Sequence, residues 1–428
     1  MRRALVAAIL LVSCSSKPSA TIALVTGGEP DALTRTPVPT TIVVEQVNPD
    51  ATTKELVRTS LPTDDFDLGD FGQDDYGAIR VQLLDPTGKP IVRGESLFVQ
   101  FSGLADTTFD IFVQRSGELA RVPSPPTVSL DAPVVDVVLG RYIFATGGTT
   151  ATLYDLLLNQ ALTNTPVLPR AAVSLANYGT VSVVIDEQGA TILDLSDGTT
   201  EEQAAPASSS WGEVAGGATI YANDGSAYVV GGTRIGHGGP STRVMHIDAN
   251  GTLTGISLAT PREGACAAFV PGRGLIVYGG TADGPGAEVL APDALQGTEL
   301  AYPMDPVRAC GLATLDGNHV LVAGGSTPTG TMPAPPRALD LACTAGCMPT
   351  PWAGTVPLVR AQGFGLAPDA ALFVGDDDMG NTHAFRFSVM EQHEVPLRVA
   401  RKGARLVALP NGAAAVVGGA ADIETYRE

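Results

Sequence analysis

Short apolar runs that end in a pair of glycines recur through most of this chain, and few folds accommodate such a pattern. They read Ala145-Thr146-Gly147-Gly148, Val229-Val230-Gly231-Gly232, Val277-Tyr278-Gly279-Gly280, Val322-Ala323-Gly324-Gly325 and Val416-Val417-Gly418-Gly419. Two worn copies, Val183-Val184-Ile185-Asp186 and Phe373-Val374-Gly375-Asp376, fill the gaps. With them the unit recurs about every 40 to 50 residues, the length of a four-stranded sheet repeated about an axis. A glycine pair at a strand end permits a sharp turn or a close backbone approach that a Cβ forbids. The expected fold is therefore all-β, with seven such units arranged as a β-propeller.

The units resemble kelch repeats. In that family an apolar second strand ends in Gly-Gly and a third strand often carries Tyr-Asp. Here the doublets are followed by Tyr154-Asp155, by Val244-Met245-His246-Ile247-Asp248 and by Ile423-Glu424-Thr425-Tyr426. The family's tryptophan is mostly missing, since only Trp211 and Trp352 are present and both match weakly. The resemblance covers residues 118–428 and implies a seven-bladed kelch-type propeller over 117–428. After the last doublet there is room for a third strand but not a fourth, and an open ring would expose strand edges. Glu118-Leu119-Ala120-Arg121-Val122-Pro123 resembles Thr298-Glu299-Leu300-Ala301-Tyr302-Pro303, the fourth strand of a complete unit. It is expected to close the ring. Thr26-Gly27-Gly28 lies far out of period and is not expected to belong to it.

Residues 21–116 alternate apolar and polar side chains in short runs, as in Thr41-Ile42-Val43-Val44-Glu45-Gln46-Val47 and Phe109-Asp110-Ile111-Phe112-Val113. Asn48-Pro49-Asp50 and Asp85-Pro86-Thr87-Gly88 are turn signals between them. Period-2 runs at this spacing predict a small β-sandwich of immunoglobulin-like form.

Met1-Arg2-Arg3 followed by an apolar stretch over 4–12 reads as an export signal, too short to span a bilayer. Its end, Leu11-Val12-Ser13-Cys14, resembles a bacterial lipobox. That resemblance implies removal of residues 1–13 and diacylglyceryl attachment to Cys14, with residues 14–20 as a tether. Ser15 after the cysteine resembles lipoproteins sent to the outer membrane. The expected location is the outer membrane or cell surface. Four further cysteines in an exported chain favour disulfides. Cys343-Thr-Ala-Gly-Cys347 is expected to close a tight loop; Cys266 and Cys310 either pair between units or stand as small buried side chains.

Charge and motif searches narrow the function. A formal net charge of −19 repels phosphate backbones, so nucleic acid is not an expected partner. The longer loops, 233–242, 326–337 and the acidic Asp376-Asp377-Asp378-Met379-Gly380-Asn381, all follow doublets and share one face, where function usually lies. Near the start of five units stands an arginine: Arg170, Arg262, Arg308, Arg360 and Arg401. Asp131 and Val214 hold the slot in the other two. Five guanidiniums at a channel mouth suit an acidic ligand. Ties to carbonyls and carboxylates between units, a placement common in kelch repeats, are the role expected of them first. The acidic stretches at 64–70 and 376–381 read as solvated loops rather than calcium sites. No cofactor or metal is expected. His237, His246, His319, His383 and His393 show no paired spacing, and no Gly-x-Ser-x-Gly, P-loop, His-Glu-x-x-His or sialidase Asp-box occurs. The expected role is a lipid-anchored binding or scaffold protein recognising an envelope protein or glycan, touching membrane through its anchor only. The alternative is a periplasmic propeller enzyme acting on sugars, resembling kelch-type epimerases.

Overall fold

The structure is a computed structural model of the chain, describing residues 21–62, 75–104, 107–232, 239–281, 283–328, 333–389 and 391–428. The lipobox with Cys14, the acidic stretch at 64–70 and His237 lie outside the described residues. Among those described there is no α-helix, only two short 3-10 turns.

Seven four-stranded antiparallel sheets follow one another along the second part of the chain. They occupy 134–161, 174–202, 218–262, 266–300, 311–351, 360–394 and 405–426. The first six are meanders in chain order. The glycine-terminated runs are the second strands. Gly274–Tyr278, Ala414–Val417 and Ala227–Val230 are buried at every position. That burial explains their composition: a strand covered on both faces has no reason to alternate. Outer strands such as Thr200–Glu202 are exposed throughout and polar.

The first strands of successive sheets pack against one another, and Arg405–Ala408 of the last packs against Val134–Val138 of the first. This sheet layout is that of a β-propeller. The seventh sheet has three strands from 405–426 and takes its fourth from Leu119–Arg121, with Glu424 opposite Arg121 and Tyr426 opposite Leu119. The expected closing strand is in place. At Gly418 and Gly419 φ is +96° and +66°, and an added Cβ would collide with the Pro133 ring and the Lys402 backbone. Both demands exclude any other residue.

The first part is built differently. Strands Thr53–Ser60, Thr41–Val47, Tyr76–Leu84, Pro90–Glu95 and Gln114–Arg115 form one sheet in that order, with Val99–Gln100 pairing on Tyr76–Gly77. Thr21–Val25 and Thr108–Phe112 form a separate parallel pair. Ile22, Phe109 and Ile111 from the pair meet Ile42, Val44, Ile79, Val81 and Leu83 from the sheet. Each such burial contributes about 1.5–3 kcal/mol. Gly27 and Gly28 lie against Arg121 of the closing strand, and the Gly28 N–H donates to the Arg121 carbonyl at 3.1 Å. This out-of-period doublet thus serves the join between the two parts rather than a sheet of the ring.

The two parts are joined side to side. Gln114 Nε2 donates to Thr425 O at 2.9 Å, Asn159 Nδ2 to Asp110 O at 3.0 Å and Asn411 Nδ2 to Glu95 O at 2.9 Å. Asn159 and Asn411 stand in turns at the ring face opposite the doublets. Among the described residues, these contacts leave the doublet loops uncovered.

Candidate functional site

Where each repeated arginine goes depends on how deeply its slot is closed. Arg262 is fully buried. Its Nε donates to Glu288 Oε1 at 2.6 Å, and its two amino groups reach the carbonyls of Gly279, Pro285 and Gly286 at 2.7–3.0 Å. Arg401 repeats the arrangement with Glu424 at 2.6 Å and the carbonyls of Gly418 and Asp422. Both carboxylates stand on third strands and are themselves fully buried. Every charge in these two ties is answered by a hydrogen bond, as burial requires. Arg262 and Arg401 are thereby removed from the set of ligand-facing arginines.

The other three are more open. Arg170 pairs with Asp186 at 2.6 Å at the worn doublet. Arg308 pairs with Glu263 at 2.8 Å, while its buried Nε has no partner. Arg360, the most exposed at 54%, holds Asp376 only at 3.6 Å. The fifth sheet reverses the polarity of the tie. Its third strand starts with Arg337, which bonds Asp305 at 2.7 Å and the Tyr278 hydroxyl at 2.9 Å. Spacing does not single out the acidic partners Glu288, Glu424, Asp186 and Glu263. Their signal, an acid somewhere behind each doublet or arginine, is blurred by loop length.

Between the sixth and seventh sheets, on the doublet face, lies an open groove of about 990 Å³. It is lined by Asp377, Asn381, His383 and Glu394 and by Asp131, Lys402 and Gly419. The acidic loop 376–381 is built to hold its own shape. Asp376 accepts from Thr382 Oγ1 and Gly403 N at 3.0 and 3.1 Å. Asp377 accepts from the backbone of Met379 and Asn381. Burial would raise the Asp377 carboxyl, but bonds from Asn381 and His383 outweigh it and hold it below the usual carboxylate range. His383 sits between Glu394, 2.8 Å from Nδ1, and Asp377, 3.4 Å from Nε2. Burial lowers its pKa, yet the two carboxylates prevail and raise it above the ordinary imidazole value. The groove thus brings together three carboxylates, of Asp131, Asp377 and Glu394, with the His383 imidazole and the Lys402 ammonium. Among the described residues no group of three or more His, Cys, Asp or Glu is placed to hold a metal ion.

A second polar cluster lies within the ring. Tyr221, at the end of the third sheet's first strand, donates its hydroxyl to Asp136 of the first sheet. It accepts from Asn177 N and Nδ2 of the second sheet at 2.9 and 3.2 Å. Burial pushes the Asp136 carboxyl up to about 7, although these bonds oppose it.

Cys266 and Cys310 are joined, with Cα atoms 5.4 Å apart, linking the fourth and fifth sheets near their inner strands. Cys343 and Cys347 are also joined, with Cα atoms 5.8 Å apart. His246 stacks on Tyr228, and His319 pairs with Asp316. No helix of the described residues is long and apolar enough to cross a membrane.

No protein-family model matches the chain, and no curated protein matches it. Among solved structures it is similar to a chain of the mitotic checkpoint complex, at 12% identity and TM-score 0.45, covering 73% of this chain and 95% of that one. It is similar to hydrazine synthase of Kuenenia stuttgartiensis at 12% identity and TM-score 0.47, covering 72% and 96%. The N-terminal domain of Nup159 matches at 10% identity and TM-score 0.44, covering 72% and 93%. Likenesses at this level speak to neither partner nor activity.

Proposed function

We propose that this chain is a lipid-anchored envelope protein whose seven-bladed, kelch-type propeller recognises a protein or glycan through its doublet face. In this reading residues 1–13 are the signal peptide, Cys14 carries the lipid, 14–20 are the tether, 21–116 an immunoglobulin-like sandwich and 117–428 the propeller. The site of action is the outer membrane or cell surface. One observation carries the reading. The first part packs on the outer strand of the last sheet and on turns opposite the doublets, so that among the described residues the charged groove on the doublet face stays open. A scaffold that covers one side and elaborates the other is suited to binding. An arginine before the first strand, tied to a carboxylate on the third, also agrees with the kelch resemblance. A sugar-processing enzyme would need arginine and carboxylate groups free to act on substrate; Arg262 and Arg401 are spent on internal ties.

The test is site-specific photo-crosslinking in cells. A photoreactive residue at Met379, an exposed position in the acidic loop, is expected to give discrete adducts. Adding His383→Ala and Glu394→Ala should remove them. A probe at Leu158, exposed near the opposite face, should give none of the same adducts. Equal labelling from both positions would sink the proposal. Cys14→Ser should abolish acyl labelling of the chain.

A further inference from the structure

The first part exposes two aromatic rings side by side. Tyr76 is 52% and Phe98 38% exposed, with centroids 5.8 Å apart and planes 30° apart. The core does not need them, since Phe101 and Phe109 fill it from the same region. Their place in the fold gives them a neighbour. Tyr76 pairs with Gln100, and the 3-10 turn Phe101–Leu104 leads on to Thr107, whose carbonyl accepts the Thr21 N–H at 3.1 Å. The ring pair therefore stands at the end of the domain where the first strand begins. Between Thr21 and Cys14 there are only residues 15–20. The seven steps from Cys14 to Thr21 therefore reach at most roughly 25 Å even fully extended, at about 3.3–3.6 Å per residue.

We infer that the Tyr76–Phe98 pair rests in the lipid–water interface of the membrane that holds the Cys14 lipid, so that the chain touches the membrane at two points. This rests on the anchoring proposed above. A ring with a polar tip beside an apolar ring suits the headgroup level. The net charge of −19 argues for contact by aromatic burial, not by attraction to anionic lipid. Two contacts rather than one fix the tilt of the molecule. The turns carrying Asn159 and Asn411 then face the membrane side, through Asp110 and Glu95, and the doublet face is directed outward.

The experiment uses the full, acylated chain in phosphatidylcholine vesicles with and without brominated phosphatidylcholine. Tyr76→Trp and, separately, Phe98→Trp supply a reporter, and Val167→Trp, at an exposed site on the doublet side, is the control. The emission added at 76 or 98 should fall by about half in brominated vesicles, and that added at 167 should not change. Mass measurement of the same samples establishes whether the acyl group is present. Acylated protein with no quenching at 76 and 98 overturns the aromatic contact and leaves the anchor standing. Protein without the acyl group overturns the anchor and this inference with it. Unquenched emission that shifts with protein concentration assigns the pair to a second copy of the chain, and also overturns it.

Discussion

The same repeat slot is closed in the seventh sheet and open in the sixth. Arg401 and Glu424 exclude water and spend every donor on the fold, whereas Arg360 reaches its acid loosely and stands half in solvent. Their sequence contexts, Val-Ala-Arg-Lys and Leu-Val-Arg-Ala, hardly differ. What differs is the third strand: it begins with Glu424 in one sheet and with Thr382 in the other. A repeated side chain takes its role from the partner that its own sheet supplies. Repetition alone marks a position, not a purpose.

Removing one partner of the closed tie should produce the largest effect. Glu424→Ala leaves Arg401 buried without its counter-charge and frees the backbone N–H groups of Arg398 and Val399. A loss of about 3–5 kcal/mol is expected in denaturant unfolding. A loss under about 1 kcal/mol would contradict the closed reading. Arg360→Ala, the matched change in the open slot, should stay within about 0.5 kcal/mol.

The Asp136 cluster gives a pH-dependent contrast of intermediate size. Its carboxyl is raised from 3.8 to about 7 in the folded chain, so its contribution is complete below pH 3.8 and is lost as pH rises through 7. Between about pH 5 and 7 the wild type should lose about 1.4 kcal/mol per pH unit relative to Asp136→Asn. Thermal unfolding of both proteins over that range measures it, and parallel curves would remove Asp136 as the source. At His383 the sign is the same but the size smaller, because the ring is partly solvated. Its raised pKa gives stability that is present below 6.5 and lost above the folded value. His383→Ala should shift stability near pH 6 by no more than about 1 kcal/mol, while reducing crosslinking at the groove.

How much of this is legible in the chain follows from burial. Second strands such as Ala370–Asp376 and Val181–Ile185 announce themselves even where the doublet is worn, because covering on both faces favours a mostly apolar run. The closing strand is legible because Glu118-Leu119-Ala120 repeats Glu299-Leu300-Ala301. The partners of the arginines are not, since Glu288 and Glu424 follow their doublets through loops of different length. Asp136, Asn177 and Tyr221 come from three sheets at unlike positions, and no periodicity links them. The parallel pairing of Thr21–Val25 with Thr108–Phe112 joins distant segments whose alternation alone suggests no partner.

The clasp between Leu119–Arg121 and Glu424–Tyr426 also sets an order of events. A chain synthesised from its amino end can assemble six sheets before the strands that complete the seventh have emerged. Until then the early strand waits with its edge unpaired and the circle stays ajar. Such a precursor carries sticky rims at both ends. The long sequence separation of these strands makes their meeting a slow step.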